Sequence, residues 1–533
     1  MDTGVYDHIV VGAGSAGCVL AARLSEDSGT RVLLVEAGGP YSAEIAEKIA
    51  SPLAWPELLD STACWGDTTV TQRATGTSTL IARGRGLGGS SAINAMMFAR
   101  GHRSGYDAWE AAGAAGWAYA DLLPYFRRSE TAPHRDPAVR GTDGPLTPMP
   151  ADPLSPLILA GLEAAAQCGH PTARDVSSGL EEGFGHPDWN IVDGRRQSAT
   201  DAYLAPDVRA RTNLRIVGGA LVHRLIIEQG RCTGIVYAPP DAPGTLATVR
   251  SRRDVVLTAG ALGSAQLLLL SGVGPREHLR SLGIPVVHDA PEVGANLRDH
   301  PVSNLVYRAA KPVPSAGNQR SEAWGFCRSP YATDGPDHQI LLVDAPGHRS
   351  LGLGQAYSMS VVLARPASRG TVRLASADPL TPPLVDPRYL QDGDDLKIMV
   401  AGVRTARRIG TAPSLAPWCH SEVAPGRGAD TDEELAAFVR DELGSINHPA
   451  GTCRLGTDER SVVDTALRVR GIEGLRIADA SIMPGALVGF PNATVYAIAE
   501  RAAQLLRDAP APGGNVATLR DGSHHGMSEG VGE

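Results

Sequence analysis

The sequence of 533 residues has no Cys-x-x-Cys pair, no long basic block and no apolar stretch that approaches the length needed to cross a membrane. Its seven cysteines are odd in number and scattered, which disfavours a disulfide framework and a zinc site and fits a reducing compartment. A net charge of -9 without a basic cluster argues against a surface that follows nucleic-acid phosphates. Glycine and proline are plentiful instead, at 61 and 39 residues, so we expect a loop-rich enzyme rather than a helical bundle.

The first residues also lack the features of a targeting segment. The stretch "MDTGVYDHIVVGAG" leads directly into a strand-like run, without a basic region, an apolar core or a cleavage site. We therefore expect a cytoplasmic protein with no integral membrane segment.

Residues 6–39, "YDHIVVGAGSAGCVLAARLSEDSGTRVLLVEAGG", have the pattern of a complete βαβ unit. A short apolar run ends in the glycine-rich turn GAGSAG, apolar residues then recur at helical spacing, and a second apolar run closes with an acidic residue. A lone glycine motif is commonly a chance match, but here all the parts occur in order. The segment therefore predicts a dinucleotide-binding site.

Each residue of this motif has a physical role in nucleotide binding. Gly12 permits the tight turn, Gly14 lets a pyrophosphate approach the backbone, and Gly17 lets the helix pack closely on the strand. The helix N-terminus at Ser15 presents free N–H groups to the phosphates. Glu36 can accept hydrogen bonds from the adenosine ribose hydroxyls and would repel a 2′-phosphate, so the unit predicts FAD or NAD and disfavours NADP.

Five further segments follow in order along the chain: "ARGRGLGGSSAIN" and its continuation (82–130), "TAGALGSAQLLLLSGVG" (258–274), "VGANLRDHP" (293–301), "ASRGTVRLASADPLTPPLVDPRYL" (367–390) and "VVDTALRVRGIEGLRIADASIMP" (462–484). These segments resemble blocks of the glucose–methanol–choline family of flavoprotein oxidoreductases, in particular its choline dehydrogenase and alcohol oxidase branch. The resemblance extends over residues 6 to about 507. It implies an α/β fold with a Rossmann-like FAD-binding domain and a second, sheet-based substrate-binding lobe.

The same resemblance implies FAD as the cofactor. Gly88 and Gly89 would leave backbone N–H groups bare beside the flavin end, and Asn94 matches the family's asparagine near the isoalloxazine ring. From spacing alone, these residues also fit a glycine-rich turn that caps a helix. Family members with covalent FAD often carry a histidine in this block, whereas Ile93 occupies the matching position, so we expect non-covalent FAD.

Two more segments carry cofactor contacts by resemblance. Val222 would pack near the adenine, although a valine in the core of a sheet would look the same. Asp479 and Ala480 match a position where the family presents an acid and backbone N–H groups to the ribityl and pyrophosphate region. Asp479 could otherwise be a helix N-cap.

The segment "GSINHPAGTCRLG" (444–456) contains the candidate catalytic residue, His448. By composition alone one histidine among 15 is a surface or core residue, but the segment resembles the family block that supplies the acid/base histidine at the flavin. Asn492 matches a position where the family carries asparagine or a second histidine. It precedes an amphipathic stretch, so a role as helix N-cap is the alternative.

The resemblance implies oxidation of an alcohol CH–OH group to a carbonyl by hydride transfer to flavin N5, with oxygen or another compound as electron acceptor. His448 would take the hydroxyl proton and Asn492 would orient the substrate oxygen. Two alternatives stay open. A lyase-like family member would hold FAD structurally and use His448 only as a base, and an NAD-dependent Rossmann dehydrogenase is compatible with residues 6–39 alone.

Two positions depart from the family pattern and leave the substrate open. Asn447 stands where an aromatic residue is frequent, and Thr494 stands where a proline is frequent. Arg320 and Glu322 belong to the predicted substrate lobe, but the sequence does not show which side chains face the pocket.

The predicted domain boundaries are 1–310 with 441–507 for the FAD-binding domain and 311–440 for the substrate-binding lobe. The segment 508–533 is rich in glycine, proline and small polar residues, so we expect a disordered tail. His524 and His525 in this tail lack further ligands, so no metal site is expected.

Overall fold

The computed structural model describes residues 4–242, 244–314, 319, 321–345, 353 and 355–509. Two seven-stranded sheets dominate it, together with smaller two- and three-stranded sheets. The predicted α/β fold with a second, sheet-based lobe is confirmed. Within the described residues no helix has both the length and the apolar composition of a membrane span.

The strands are β1 (Val5–Val11), β2 (Val32–Val35), β3 (Asp67–Thr68), β4 (Leu80–Ile81), β5 (Met97–Phe98), β6 (Met149–Pro150), β7 (Gly183–Gly185), β8 (Asp188–Trp189), β9 (Ile191–Val192), β10 (Arg195–Arg196), β11 (Leu214–Val217), β12 (Leu221–Glu228), β13 (Arg231–Ala238), β14 (Ala247–Leu257), β15 (Val273–Gly274), β16 (His288–Asp289), β17 (Pro301–Ala309), β18 (Ala323–Cys327), β19 (His338–Val343), β20 (Ala356–Leu363), β21 (Thr371–Arg373), β22 (Leu384–Asp386), β23 (Cys419–Ala424), β24 (Gly444–Ser445) and β25 (Leu475–Ile477).

The α-helices are α1 (Ser15–Leu24), α2 (Ala43–Ala50), α3 (Trp55–Leu58), α4 (Arg103–Ala111), α5 (Tyr119–Ser129), α6 (Pro156–Gln167), α7 (Ala199–Tyr203), α8 (Pro206–Arg209), α9 (Gly260–Leu270), α10 (Arg276–Ser281), α11 (Gly393–Gly410), α12 (Asp432–Asp441) and α13 (Pro491–Arg507). Short 3-10 turns include Gly89–Ala92 and Ala480–Ile482.

The first large sheet has the order β11-β2-β1-β14-β13-β12, and β25 also pairs with β14. Its centre is parallel: β1 lies between β2 and β14, while β12 and β13 add antiparallel strands at one side. The apolar run of β2 is completely buried, as expected for a parallel strand covered on both faces. The predicted βαβ unit is therefore present as β1, α1 and β2.

Helices from both ends of the chain cover this sheet. Eight of the ten residues of α1 are buried, and α13 packs against it. Arg23 of α1 donates to the buried carboxylate of Glu500 in α13, with N–O distances of 2.9 and 3.0 Å. The cofactor half is thus assembled from segments that lie far apart in the sequence.

The second large sheet is antiparallel, with the order β23-β17-β20-β19-β18-β7, and β24 pairs with β17. One face packs on α6, α11 and α12 through residues such as Tyr307, Leu342 and Met359. On the other face, Asn304, Ser360 and Leu341 are neighbours in register across β17, β20 and β19. Alternation along the strands therefore gives the sheet one core face and one face that remains for a ligand.

Sheet membership does not follow the predicted domain boundaries. The second sheet takes β7, β17 and β24 from segments assigned to the FAD-binding domain. Conversely, β21 and β22 fall within 311–440, but Val372 and Val385 pack in the core of the first sheet. The reason is that strand pairing joins segments distant in sequence, which a linear boundary cannot describe. Most of the predicted tail, 510–533 with His524 and His525, lies outside the described residues.

Candidate active site

A cavity of about 810 Å³ lies between the two large sheets. Val11, Val35 and Val222 of the first sheet line it on one side, and Asn304 and Ser360 of the second sheet line it on another. Its volume is in the range of about 300–1,000 Å³ that is usual for ligand sites. Trp55, Trp65 and Trp189 also contribute to its wall.

The βαβ turn forms one wall of this cavity from backbone atoms. Gly12 has a φ of +104°, and a Cβ there would lie 2.7 Å from the carbonyl oxygen of Thr258. Gly14, Ser15 and Ala16 line the cavity at the N-terminus of α1, where helical N–H groups lack intrahelical acceptors. Gly17 does not line the cavity, but a Cβ on it would lie 1.9 Å from the Gly12 carbonyl oxygen, so it permits the close packing of α1 on the turn.

The second glycine-rich loop meets this turn edge to edge. The Gly88 N–H donates to the Ala13 carbonyl at 2.9 Å, and Gly88 has a φ of +92°. Gly89 lines the cavity with a φ of +51°, and a Cβ on it would lie 2.7 Å from the Cα of Gly14. The two loops therefore form a narrow cradle in which no side chain separates their backbones. Such a cradle lets a dinucleotide cofactor approach the backbone closely.

Glu36 lines the same cavity and also ties these loops together. One of its carboxylate oxygens accepts from the N–H groups of Gly38 at 2.8 Å and Gly86 at 2.9 Å, and the other accepts from Ala13 at 2.8 Å. Burial raises the pKa of this carboxyl group, while the three backbone donors oppose the shift. The second oxygen retains acceptor capacity, so the predicted ribose contact stays a prediction.

Asp479 and Ala480 line the cavity beside α9. The Asp479 carboxylate accepts from the Gly260 N–H at 2.9 Å and from the Ser264 hydroxyl at 2.6 Å, and it caps the 3-10 turn that follows through the Ser481 N–H at 2.8 Å. The alternative interpretation as an N-cap is therefore correct for its position. Contact with a cofactor stays a prediction for both residues, as it does for Val222, which also lines the cavity.

Asn94 is held from behind by a buried arginine. Its side-chain oxygen accepts from Arg196 at 2.7 Å and from the Met96 N–H at 3.0 Å. Desolvation lowers the pKa of Arg196 to about 9. This contact fixes the amide of Asn94 in the cavity wall.

His448 lies in the cavity wall within a dense set of contacts. Its backbone N–H donates to Asp299 at 2.7 Å, and its Nδ1 lies 3.0 Å from Nδ1 of His300. Its ring stands nearly perpendicular to the rings of His300 and Phe490, at centroid distances of 5.2 and 5.4 Å. The ring is thus held from two sides, and only part of it is accessible from the cavity.

Burial controls the protonation of this histidine. Desolvation, and to a smaller extent the neighbouring His300, lower the pKa of His448 well below its ordinary value of 6.5. Desolvation also lowers the pKa of His300. Both rings are therefore neutral at neutral pH, so His448 is able to accept a proton.

Asn492 lines the cavity at the start of α13. The N-cap of this helix is Phe490 and its first residue is Pro491, so the alternative in which Asn492 is the N-cap is wrong. The Asn492 side-chain oxygen accepts from the Ser15 hydroxyl at 2.9 Å. Its buried Nδ2 group has no hydrogen-bond partner among the described residues, which leaves a donor available for a ligand.

Comparison with known proteins identifies the family. Residues 6–302 match the N-terminal GMC oxidoreductase family model and residues 366–499 match the C-terminal one. The chain belongs to the GMC oxidoreductase family. It is 37% identical to mitochondrial choline dehydrogenase of Homo sapiens over 95% of this chain and 90% of that protein.

Solved structures agree with this membership. Pyridoxine 4-oxidase from Mesorbium loti superimposes with a TM-score of 0.89 at 38% identity, covering 94% of this chain and 98% of that one. An FAD-dependent oxidoreductase from Chaetomium thermophilum gives a TM-score of 0.86 at 28% identity, covering 94% and 99%. This GMC oxidoreductase is thus an enzyme of a family that acts on CH–OH donors and binds FAD, and an NAD-dependent dehydrogenase is no longer supported.

The cavity of this GMC oxidoreductase brings together most of the predicted site residues. Gly12, Gly14, Ser15, Glu36, Gly89, Asn94, Val222, His448, Asp479, Ala480 and Asn492 all line it. Gly17 and Gly88 lie behind the lining and shape the backbone. The roles of all these residues stay predictions.

Both departures from the family pattern have local structural roles. Asn447 lines the cavity with a φ of +61°, and its side chain accepts from the Ala82 N–H at 2.7 Å. Thr494 is buried, and its hydroxyl lies 2.7 Å from that of Tyr106. Glu322 is buried outside the cavity lining and accepts from the Ser155 N–H at 2.8 Å, while Arg320 lies outside the described residues.

Sequence reasoning missed Asp299, His300 and Arg196, which support the cavity residues from behind. Asp299 and His300 belong to the family-like segment "VGANLRDHP", so the signal was present but pointed to no partner. Arg196 carries no motif signal, because a buried arginine is recognised only from its tertiary contacts. Among the described residues no cluster of three or more potential metal ligands occurs.

Proposed function

We propose that this GMC oxidoreductase oxidises an uncharged alcohol to a carbonyl compound, with non-covalently bound FAD, His448 as the base and Asn492 orienting the substrate oxygen. The observation that carries the proposal is the position and protonation state of His448. It is a half-buried, neutral histidine in the wall of the cavity that the nucleotide-binding loops also line.

The residues present fit FAD. In the glycine cradle a Cβ on Gly89 would lie 2.7 Å from the Cα of Gly14, so the lack of a side chain at Gly89 keeps this space open. The N-terminus of α1 offers N–H groups for a pyrophosphate. Glu36 has acceptor capacity left for a ribose. Bound FAD supplies the acceptor for the two electrons and the hydrogen that leave the alcohol carbon.

The protein supplies the proton chemistry. His448 accepts the proton of the substrate hydroxyl, because desolvation keeps its ring neutral. Asn492 donates through its unused Nδ2 group to the substrate oxygen and so stabilises the charge that develops there. General-base help of this kind typically contributes about 10²–10⁴-fold to a rate.

Non-covalent attachment is supported by the lining of the cavity. Ile93 is buried there and has no nucleophilic atom. The described lining residues include no cysteine and no tyrosine, and His448 is the one histidine among them. Mild denaturation is therefore expected to release intact FAD into the supernatant, whereas flavin that stays with the precipitated protein would contradict this part of the proposal.

An uncharged substrate is supported by the carboxylates of the cavity. Three acidic residues line its described part, and each is engaged. Glu36 accepts from three backbone N–H groups, Asp67 pairs with Arg83, and Asp479 holds α9 and the turn after it. The internal positions outside the described residues contain no Asp or Glu. Among the described lining residues, each carboxylate is thus already held by backbone hydrogen bonds or by an ion pair, so none is placed as a dedicated partner for the cation of a choline-like alcohol.

The remaining wall suits a flat or apolar alcohol. Trp55, Met97, Trp189, Val343 and Phe490 supply apolar and aromatic surface, as is usual for small-molecule sites. We expect a hydroxymethyl group on an aromatic or heteroaromatic ring to be oxidised in preference to choline.

The test is anaerobic mixing of the purified flavoprotein with benzyl alcohols, pyridoxine, aliphatic alcohols and choline, followed through the visible flavin absorption. Bleaching by an uncharged aromatic alcohol is the expected result. Faster bleaching by choline would contradict the substrate assignment but keep the redox chemistry. If no alcohol bleaches the bound flavin, the lyase-like alternative replaces the proposal.

A further inference from the structure

We propose that His300 is a positioning residue that fixes the tautomer of His448, so that Nε2 of His448 carries the lone pair that serves as the base. This inference rests on the proposed function of His448. His300 does not line the cavity, so it acts through His448 and not on the substrate.

The tautomer follows from a chain of three hydrogen-bonding groups. Nε2 of His300 lies 2.8 Å from the Leu487 carbonyl oxygen, which can only accept, so this nitrogen carries the hydrogen. In the neutral ring Nδ1 of His300 is then an acceptor. Nδ1 of His448 lies 3.0 Å from it and must therefore donate. The hydrogen of neutral His448 is thus on Nδ1, and Nε2 is left unprotonated.

Neutrality of both rings is required for this argument, and burial supports it. His300 is 5% exposed, and desolvation lowers the pKa of both histidines. Among the described residues no carboxylate is hydrogen-bonded to a ring nitrogen of either histidine, so a proton shared between the two rings would have no anionic partner there. The neutral, directional arrangement is therefore the stable one at neutral pH.

The neighbouring residue fixes the same histidine at its backbone. Asp299 accepts from the His448 N–H at 2.7 Å and from the Ser445 hydroxyl at 2.5 Å, and it also accepts from the Tyr389 hydroxyl. Adjacent residues immediately before β17 thus hold both the main chain and the ring of His448. Ring rotation that would exchange the two nitrogens loses the His300 bond.

The first experiment reads the tautomer directly in the unmodified holoenzyme. Histidine ring nitrogens are labelled with ¹⁵N, the His448 signals are assigned by their loss in His448→Gln, and long-range ¹H–¹⁵N spectra are recorded near pH 8 without substrate. The expected result is a neutral His448 ring with hydrogen on Nδ1. Hydrogen on Nε2 in the unmodified protein would overturn the proposal, whether or not any variant folds.

Two variants then test the cause. In His300→Ala the acceptor for Nδ1–H is lost, so we expect His448 to shift towards the Nε2–H tautomer and anaerobic flavin reduction to slow by roughly 10- to 100-fold, the loss usual for removal of an orienting partner. In His300→Gln an amide offers a donor for the Leu487 carbonyl and an acceptor for His448, so both readouts are expected to recover in part. An unchanged tautomer and rate in His300→Ala would contradict the proposal.

A matched control separates positioning from stability. His102 is also buried, at 6% exposure, lies outside the cavity lining, and accepts from the Ser104 N–H at the start of α4. His102→Ala is expected to lower thermal stability without changing the His448 tautomer or the reduction rate. Failure of every alcohol to bleach the flavin would remove the proposed function, yet the tautomer measurement would still decide the role of His300.

Discussion

The two walls of the cavity are built from different parts of the polypeptide. The wall around the nucleotide-binding loops is mainly backbone: at Gly12 and Gly89 a Cβ would collide with a neighbouring backbone atom, and the positive φ angle favours glycine. The wall on the second sheet is made of side chains, such as Asn304, Leu341 and Ser360, that project from neighbouring antiparallel strands. A backbone wall leaves little freedom for substitution, whereas a side-chain wall can be changed one residue at a time on the same scaffold.

This difference explains why the sequence of a family member indicates its cofactor but does not indicate its substrate. Backbone recognition requires glycines at fixed spacing, and the family shares its cofactor. Side-chain recognition uses residues that any sheet would tolerate. Substitutions in the two walls should therefore differ in kind, with loss of cofactor on one side and loss of substrate preference on the other.

Removal of the base is expected to have the largest effect. His448→Ala should slow anaerobic flavin reduction by about 10²–10⁴-fold, because the substrate proton loses its acceptor. The FAD-to-protein ratio should stay unchanged, since the ring lies outside the glycine cradle. Rapid-mixing absorbance measures the first quantity and the visible spectrum of the purified protein the second. Reduction at full speed would exclude His448 from the mechanism.

A single methyl group added to the backbone wall is expected to weaken FAD binding. Gly89→Ala places a Cβ 2.7 Å from the Cα of Gly14 and forces alanine into a φ of +51°, a conformation that costs roughly 1–2 kcal/mol. We expect FAD affinity to fall by about tenfold or more, read from flavin content and from the FAD dependence of the melting temperature.

Gly428→Ala is the matched control for this substitution, because nothing lies within 4 Å of the added Cβ. Equal FAD content in the two variants would show that the close contact between the loops does not matter for binding.

The side-chain wall is expected to respond in small steps. Leu341→Val removes one CH₂ from the cavity wall, worth about 0.8 kcal/mol, so kcat/KM for an aromatic alcohol should fall by about fourfold with FAD content unchanged. Leu342→Val makes the same change on the opposite face of β19, where Leu342 packs in the helix-covered core. That variant should lower stability and leave kcat/KM alone. The reverse pattern would place the substrate elsewhere.

The smallest expected effect is that of mild acid. An unperturbed histidine base would lose about half of its active form at pH 6.5. Because desolvation lowers the pKa of His448, the neutral base persists below that pH, and the rate falls only when the pH approaches the lowered value. The flavin reduction rate should therefore change less than about twofold between pH 8 and 6.5. A loss centred near pH 6.5 would show that the ring is solvated.

The predictability of each element depends on how local its determinants are. β1, α1 and β2 were predicted because their apolar spacing and glycines lie within 34 consecutive residues, 6–39. His448 and Asn492 were found only through the family resemblance, since neither residue type is informative by itself.

The sequence did not predict which residues from distant segments contact one another in the folded protein. The contact of His300 with His448 joins residues 148 positions apart, and nothing in either segment indicates the partner. The sequence likewise did not indicate that the Glu36 carboxylate accepts hydrogen bonds from the N–H groups of Gly38 and Gly86. Local patterns show which groups are present, whereas packing decides which of their hydrogen-bonding positions remain free.

The ion pair between Arg23 and Glu500 has a consequence for biosynthesis. The two residues are 477 positions apart, which at about 5–20 residues per second corresponds to an interval on the order of a minute during translation. Throughout that interval α1 has been made but its packing partner α13 has not. The apolar surface of α1 is then accessible to chaperones and to neighbouring nascent chains. Complete folding of the nucleotide-binding region therefore waits for the synthesis of α13, long after the glycine motif has left the ribosome.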